Sequence, residues 1–223
     1  MAQIVRSKVG PVIAGDGTYP EGRGGRTGEL IVADAHGRYT ETTYRAGVYS
    51  ISSAGAGQAQ VAANLFSTAI ATFQPIVGIY NPTPNTINVA ILKAWIGIVG
   101  QAASATVPGG FMWVVASNQN ITQAGTTPIN NFTLQAKGSR VVGLVNQALT
   151  GATGSLSVLR PIASMNPNVT NAATPTILGL SIFEDQVEGS IIVPPSGFVG
   201  IANGITGTTN TFQGGITWEE IPL

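Results

Sequence analysis

From Ile76 onward, short apolar runs alternate with Gly, Pro and Asn at intervals that suit strands and turns. Ile76–Tyr80 stops at Asn81-Pro82-Thr83-Pro84-Asn85, a combination that fixes φ and invites side-chain-to-backbone bonding, so it predicts a turn. Ile87–Val99 carries Ile, Val and Trp at both parities, which predicts a strand buried on both faces. Pro108-Gly109-Gly110 introduces Phe111–Ala116, and shorter runs follow at Phe132–Leu134, Val141–Val145 and Leu156–Leu159. Ile177–Phe183, Gly189–Val193, Phe198–Ala202 and Gly215–Glu219 complete the set. Runs recurring roughly every 10 to 20 residues between turn residues predict an all-β sandwich or barrel. Gln58–Thr72 can be drawn as an amphipathic helix, but Thr, Phe and Ile interrupt it and no cap precedes it, so strand and loop are expected there.

The first 50 residues read differently. Gly15–Glu29 is dense in glycine and charge and poor in apolar residues, which favours an extended or loop segment. From Leu30 to Ile51, β-branched and aromatic residues alternate with polar ones, as in strands. The chain thus divides into residues 1–50, an extended Gly-rich N-terminal arm with the first strands, and residues 51–223, a β-sandwich body.

Composition sharpens this division. Charged residues are 9% of the 223, against about 25% in an ordinary soluble domain, and the formal net charge is zero. Residues 1–50 hold 6 of the 10 basic and 5 of the 10 acidic groups. No Asp or Glu occurs between Thr42 and Phe183, and no Lys or Arg from Glu184 to the end. A neutral Thr- and Gly-rich exterior suits a surface covered by other subunits. Zero net charge argues against a nucleic-acid partner. No apolar run is long enough to span a bilayer, and no apolar core follows Arg6 and Lys8 as in a signal peptide. The expectation is a soluble protein made in a cytoplasm.

Candidate chemistry is sparse. There is no Cys, which excludes thiol catalysis, Cys-ligated zinc and disulfides. His36 is the single histidine; Asp34 lies two residues away, poorly placed to orient it, and no GxSxG turn is present. Glu184-Asp185 with Glu188 lacks the spacing and glycine of a calcium loop and reads as an exposed strand end and turn. A glycosidase pair drawn from Glu184, Glu188, Glu219 and Glu220 has no sugar cleft marked around it. Trp95 and Trp113 sit in apolar runs and read as core. Gly22–Gly28 lacks the lysine, preceding strand and following helix of a phosphate loop, and Glu21 and Glu29 flank it. No enzyme activity, metal or cofactor is expected. The arm's charges, Arg23, Arg26, Glu29, Asp34, Arg38 and Arg45, are the candidate partner contacts, since arginine suits forked bonding to carboxylates.

Three stretches carry a resemblance. Gly28-Glu29-Leu30-Ile31-Val32-Ala33-Asp34-Ala35-His36-Gly37-Arg38-Tyr39 resembles a segment of structural proteins of tailed bacteriophages. Ile79-Tyr80-Asn81-Pro82 followed by Val89-Ala90-Ile91-Leu92-Lys93 is similar to a turn and strand of the same family, and Gly215–Pro222 to its closing Trp-Glu-Glu strand. The resemblance implies a virion protein: a capsid decoration (cement) protein with a jelly-roll-like body, on the capsid exterior. Its partners would be the major capsid protein and itself, as a homotrimer, with no membrane or nucleic acid. The rival expectation is a tail-tip or fibre module that binds a receptor or glycan.

Overall fold

The computed structural model describes residues 39–53, 58–59, 61–100, 110–136, 138–164, 182–204 and 211–223, with the strand pairs at 23–24 and 30–31. Two compact units divide at residue 41: Met1–Glu41 and Thr42–Leu223. In the first, Arg23–Gly24 pairs antiparallel with Leu30–Ile31. In the second, eight strands form the framework: β1 Val48–Ser52, β2 Val77–Tyr80, β3 Ile87–Gly100, β4 Gly110–Ala116, β5 Ser157–Ser164, β6 Ile182–Val193, β7 Phe198–Asn203 and β8 Thr211–Pro222.

They make two antiparallel sheets packed face to face. One runs β6-β3-β8-β1, extended by Ile129–Asn130 beyond β1, with Gln58–Ala59 beside β8. The other runs β5-β4-β7-β2, extended by Val142–Leu144. Strands 1, 3, 6 and 8 thus share one sheet and strands 2, 4, 5 and 7 the other, with the last two strands each inserted between two of the first four. That connectivity is a jelly roll, the eight-stranded double Greek key. The all-β sandwich expected from the sequence is what the chain adopts. The division expected at residue 50 falls inside β1, which pairs with β8 and belongs to the body's sheet.

Between the sheets lies the main core, with Trp113, Trp218, Phe111 and Phe212 all at most 1% exposed. β3 reaches it in an unexpected way. Its register with β8 passes from Ile91↔Trp218 to Lys93↔Thr217, so Leu92 is an extra residue. Ile87, Val89 and Ile91 face the core before this bulge; Ala94 and Ile96 face it afterwards. A bulge exchanges the two faces of a strand, which is why the apolar residues change parity. The expectation of two buried faces is therefore corrected in part: Ala90 and Leu92 are buried, but Lys93 and Trp95 are half-exposed on the outer face. Trp95, expected in the core, lies across Gly215, whose missing side chain makes the room.

The strands buried at every position are β2 and β7. Their outward residues, Tyr80, Phe198 and Ala202, join a second core that includes Ile70, Phe73, Leu149 and Leu156. Irregular chain builds this layer. Residues 61–73 hold two 3₁₀ turns, Ala62–Asn64 and Ile70–Thr72, and no α-helix. Asn64, 1% exposed, ties the layer together by donating to Gln74 O (2.8 Å) and Asn146 Oδ1 (2.9 Å). Two other expectations are corrected locally. Thr40–Tyr44 is a single helical turn, not strand. Residues 131–133 are a turn, not strand, because Asn130 Oδ1 accepts from the amides of Phe132 and Thr133 (3.0 Å each).

Candidate functional site

A groove of about 770 Å³ lies at one end of the sandwich. The Tyr80-Asn81 turn builds its surroundings. Asn81 is fully buried and donates through Nδ2 to Ile87 O (2.9 Å) and Val193 O (3.1 Å), fixing the start of β3 beside the end of β6. Its backbone N–H donates to Gly197 O and its carbonyl accepts from Ser196 N, which anchors the β6–β7 turn. Tyr80 Oη donates to Gln119 O at 2.8 Å. Gln119, 4% exposed, in turn donates to Ser117 O and accepts from Thr153 N, clamping two loops at the rim. The Tyr-Asn-Pro stretch is thus a structural hub, and its buried polar groups are paired as burial demands.

The floor is apolar: Val115, Ala116, Ile191, Val193, Phe198 and Val199. Ser117, Asn118, Thr153, Ser155, Ser157 and Ser190 supply hydroxyl and amide groups above it. Among the described residues no titratable side chain lines it. Leu159 and Ile192, each 48% exposed, stand on its two flanks. The sequence held no signal for this site, because small neutral residues from three distant stretches compose it.

The flanks are β5 and β6, the end strands of the two sheets, which lie beside one another. One carboxylate joins them. Asp185 on β6 accepts at Oδ2 from Trp113 Nε1 (2.7 Å) and from Arg160 Nη2 (2.9 Å). Trp113 and Arg160 are cross-strand partners, so a group from one sheet bridges a neighbouring pair of the other. Arg160 and Asp185 are 39% and 22% exposed, so the ion pair itself contributes little; the bond from the buried indole to a charged acceptor is worth about 1.5–3 kcal/mol.

The expected acidic turn is corrected here. Glu184 and Asp185 lie within β6, which continues to Val193 through a bulge at Val187–Ser190 opposite Leu92. Glu188 and Gly189 adopt positive φ in this bulge (50° and 82°). Glu184 pairs with Lys93. Glu220 accepts from Ser139 Oγ (2.7 Å) and Arg140 N (3.1 Å) on β8, which β3 separates from β6. The four glutamates therefore do not converge on one cleft. Among the described residues no group of three or more His, Asp or Glu could hold a metal, and no helix is long and apolar enough to cross a membrane.

Besides Val99, Ile221 and Leu223, the exposed large apolar side chains fall into two sets. Val158, Leu159, Ile182 and Ile192 lie along β5 and β6. Tyr44, Ile129, Phe132 and Leu134 lie at the opposite edge, with the Tyr44 and Phe132 rings 5.2 Å apart. Of the candidate contacts, Arg45 is exposed just after the Thr40–Tyr44 turn. Arg23 lies in the short strand pair, opposite Ile31. Arg26, Glu29, Asp34, Arg38 and His36 lie outside the described residues. No family model, curated protein or solved structure matches the chain.

Proposed function

We propose that the chain is a structural protein of a tailed-phage virion, a decoration protein that binds the assembled capsid from outside and associates with itself as a homotrimer. The observation that carries this reading is a charge-poor jelly roll whose adjoining end strands display Val158, Leu159, Ile182 and Ile192 to solvent. Apolar side chains clustered on an otherwise neutral surface mark a place for protein contact. The motif resemblance points the same way. The mechanism is mass action: a subunit that binds the assembled shell and not its free subunits stabilises the shell. The arm's arginines and carboxylates, Arg23, Arg26, Glu29, Asp34 and Arg38 with Arg45, set the register on the major capsid protein.

The test is co-sedimentation of the purified protein with capsids that lack it, followed by imaging of the decorated particles. Saturable binding at fixed lattice positions is expected, weakened by added salt and by removal of residues 1–28. Failure to bind any capsid, with recovery of the protein in tails, would favour the receptor-binding reading. The groove offers sugars little to stack on, because the one aromatic among its described lining residues, Phe198, is 1% exposed.

A further inference from the structure

We propose that the groove between the ends of β5 and β6 is the acceptor for the uncharged segment Met165–Ser181 of a second copy of the chain. The inference rests on the self-association part of the function proposed above and is independent of capsid binding. Charge decides what the groove can hold. With no titratable side chain among the described residues of its lining, a charged ligand would lose hydration and gain no counter-charge there. An uncharged segment with small polar and branched apolar side chains loses neither. Shape narrows the choice further. Ser157 and Leu159 on β5 and the consecutive residues Ser190, Ile191, Ile192 and Val193 on β6 line the groove, so two lengths of strand backbone bound it. Both flanking strands end their sheets, where main-chain pairing with an added strand is the common mode of peptide capture.

The occupant follows from the connectivity. β5 begins in the groove and ends at Ser164; β6 begins at Ile182 and ends in the groove. The strand ends that the joining residues Met165–Ser181 connect, Ser164 and Ile182, thus lie away from the groove. The joining residues contain no charged residue, and Val169, Ile177, Leu178 and Leu180 are interspersed with Thr, Asn and Pro. Their polarity matches an apolar floor rimmed by Ser, Thr and Asn. A contact in which the groove of one copy takes a different segment of the next is head-to-tail, and such contacts close into rings when the rotation allows, which a trimer requires.

The experiment uses the full chain and reads its association by sedimentation equilibrium, with melting to confirm folding. Leu159→Glu introduces a charge at a half-exposed flank position. It is expected to leave the melting curve in place and to weaken association about tenfold or more, the effect of burying an unpartnered charge. Adding Thr170→Lys, Thr174→Lys and Ile177→Lys to that variant is expected to restore association. Opposite charges attract over a Debye length of about 8 Å, so the rescue does not need an exact register. Four results would overturn the proposal: a wild-type chain that stays monomeric at its highest soluble concentration, Leu159→Glu that associates as the wild type does, a loss that the lysines fail to restore, or a neutral hexasaccharide that binds the groove while self-association persists in Leu159→Glu. Capsid co-sedimentation of the wild type, run alongside, separates each of these from a failure of the decoration reading.

Discussion

The two sheets of the body are finished differently on their outer faces. The five-stranded sheet carries a second core, in which Phe73, Leu149 and Leu156 from irregular segments cover Tyr80, Val114 and Phe198. The six-stranded sheet shows polar groups on its outer side: Ser50 and Thr217 share a hydroxyl–hydroxyl bond of 3.0 Å, and Lys93 pairs with Glu184. Burial on both faces is thus achieved within one chain where loops fold back. It gives no argument for a covering partner over β2 and β7. The lateral edges are where eight of the exposed large apolar side chains are found, Val99, Ile221 and Leu223 lying elsewhere.

The sharpest way to break this comparison is Phe73→Ala. Phe73 is fully buried, its ring meets that of Phe198 edge-on at 6.5 Å, and its carbonyl accepts from Leu149 N. Removing it should cost about 3–5 kcal/mol, or a fall in Tm of roughly 10 °C. Ser50→Ala on the outer face of the other sheet should stay within about 0.5 kcal/mol. If Phe73→Ala leaves global unfolding unchanged and only opens residues 61–73 to proteolysis, the second core is a detachable layer and the contrast between the sheets is lost.

The two buried indoles give the next largest effect. Trp113→Phe and Trp218→Phe each remove the same ring from the same core. Trp113 Nε1 holds Asp185, whereas Trp218 Nε1 is buried with no hydrogen-bond partner among the described residues. Denaturant unfolding should show Trp113→Phe the more damaging by about 1–3 kcal/mol, the cost of removing one of the two donors to the Asp185 carboxylate. Equal losses would mean that the Asp185 bridge contributes nothing to closing the β5–β6 side.

Gly143 probes the seam between the sheets from the loop-covered one. A methyl added there would collide with Ile51 Cδ1 of the opposite sheet and with Thr126 O. Gly143→Ala should cost about 1–3 kcal/mol by overpacking. Ile51→Val removes the first collision and not the second, so the double variant should recover part of that loss. Additive losses would show that the backbone at Thr126, and not the facing sheet, sets the limit.

Much of this architecture was legible because it is local. The turn at Asn81–Asn85 follows from Asn and Pro, and β4, β7 and β8 follow from apolar runs bounded by Gly. The bulge at Leu92 was hidden, since Ile, Val and Ala occur at both parities and either register satisfies the pattern. Phe132–Leu134 looked like a strand because periodicity cannot see Asn130 capturing two amides. The groove was illegible for a different reason. Its Ser, Thr and Asn side chains carry no spacing signal, and only the jelly-roll connectivity brings 115–119, 153–159 and 190–199 to one end. The hub residues Tyr80 and Asn81 were visible as a turn and not as the anchor of that end.

Alkaline pH offers the smallest and most specific distinction, at Tyr49 on the six-stranded sheet's inner face. Tyr49 is 7% exposed and stacks on Trp218 with ring centres 6.3 Å apart. Burial, and then the nearby Glu220 carboxylate, raise its phenol above the ordinary value of 10.0, while a hydrogen bond with Asn130 and the charge of Arg140 oppose this. The folded chain therefore holds this proton after the unfolded chain has released it. Stability from this group is complete below pH 10.0 and is lost as pH rises through the folded-state value. Tyr49→Phe should lower stability by about 1 kcal/mol at neutral pH, through the lost bond to Asn130. It should also flatten the decline above pH 10. Urea unfolding of both proteins from pH 8 to 11 measures the difference directly, because the two differ only in this phenol. Parallel declines would mean that water reaches the phenol, and that the edge where β1 meets Ile129–Asn130 is more open than the buried ring implies.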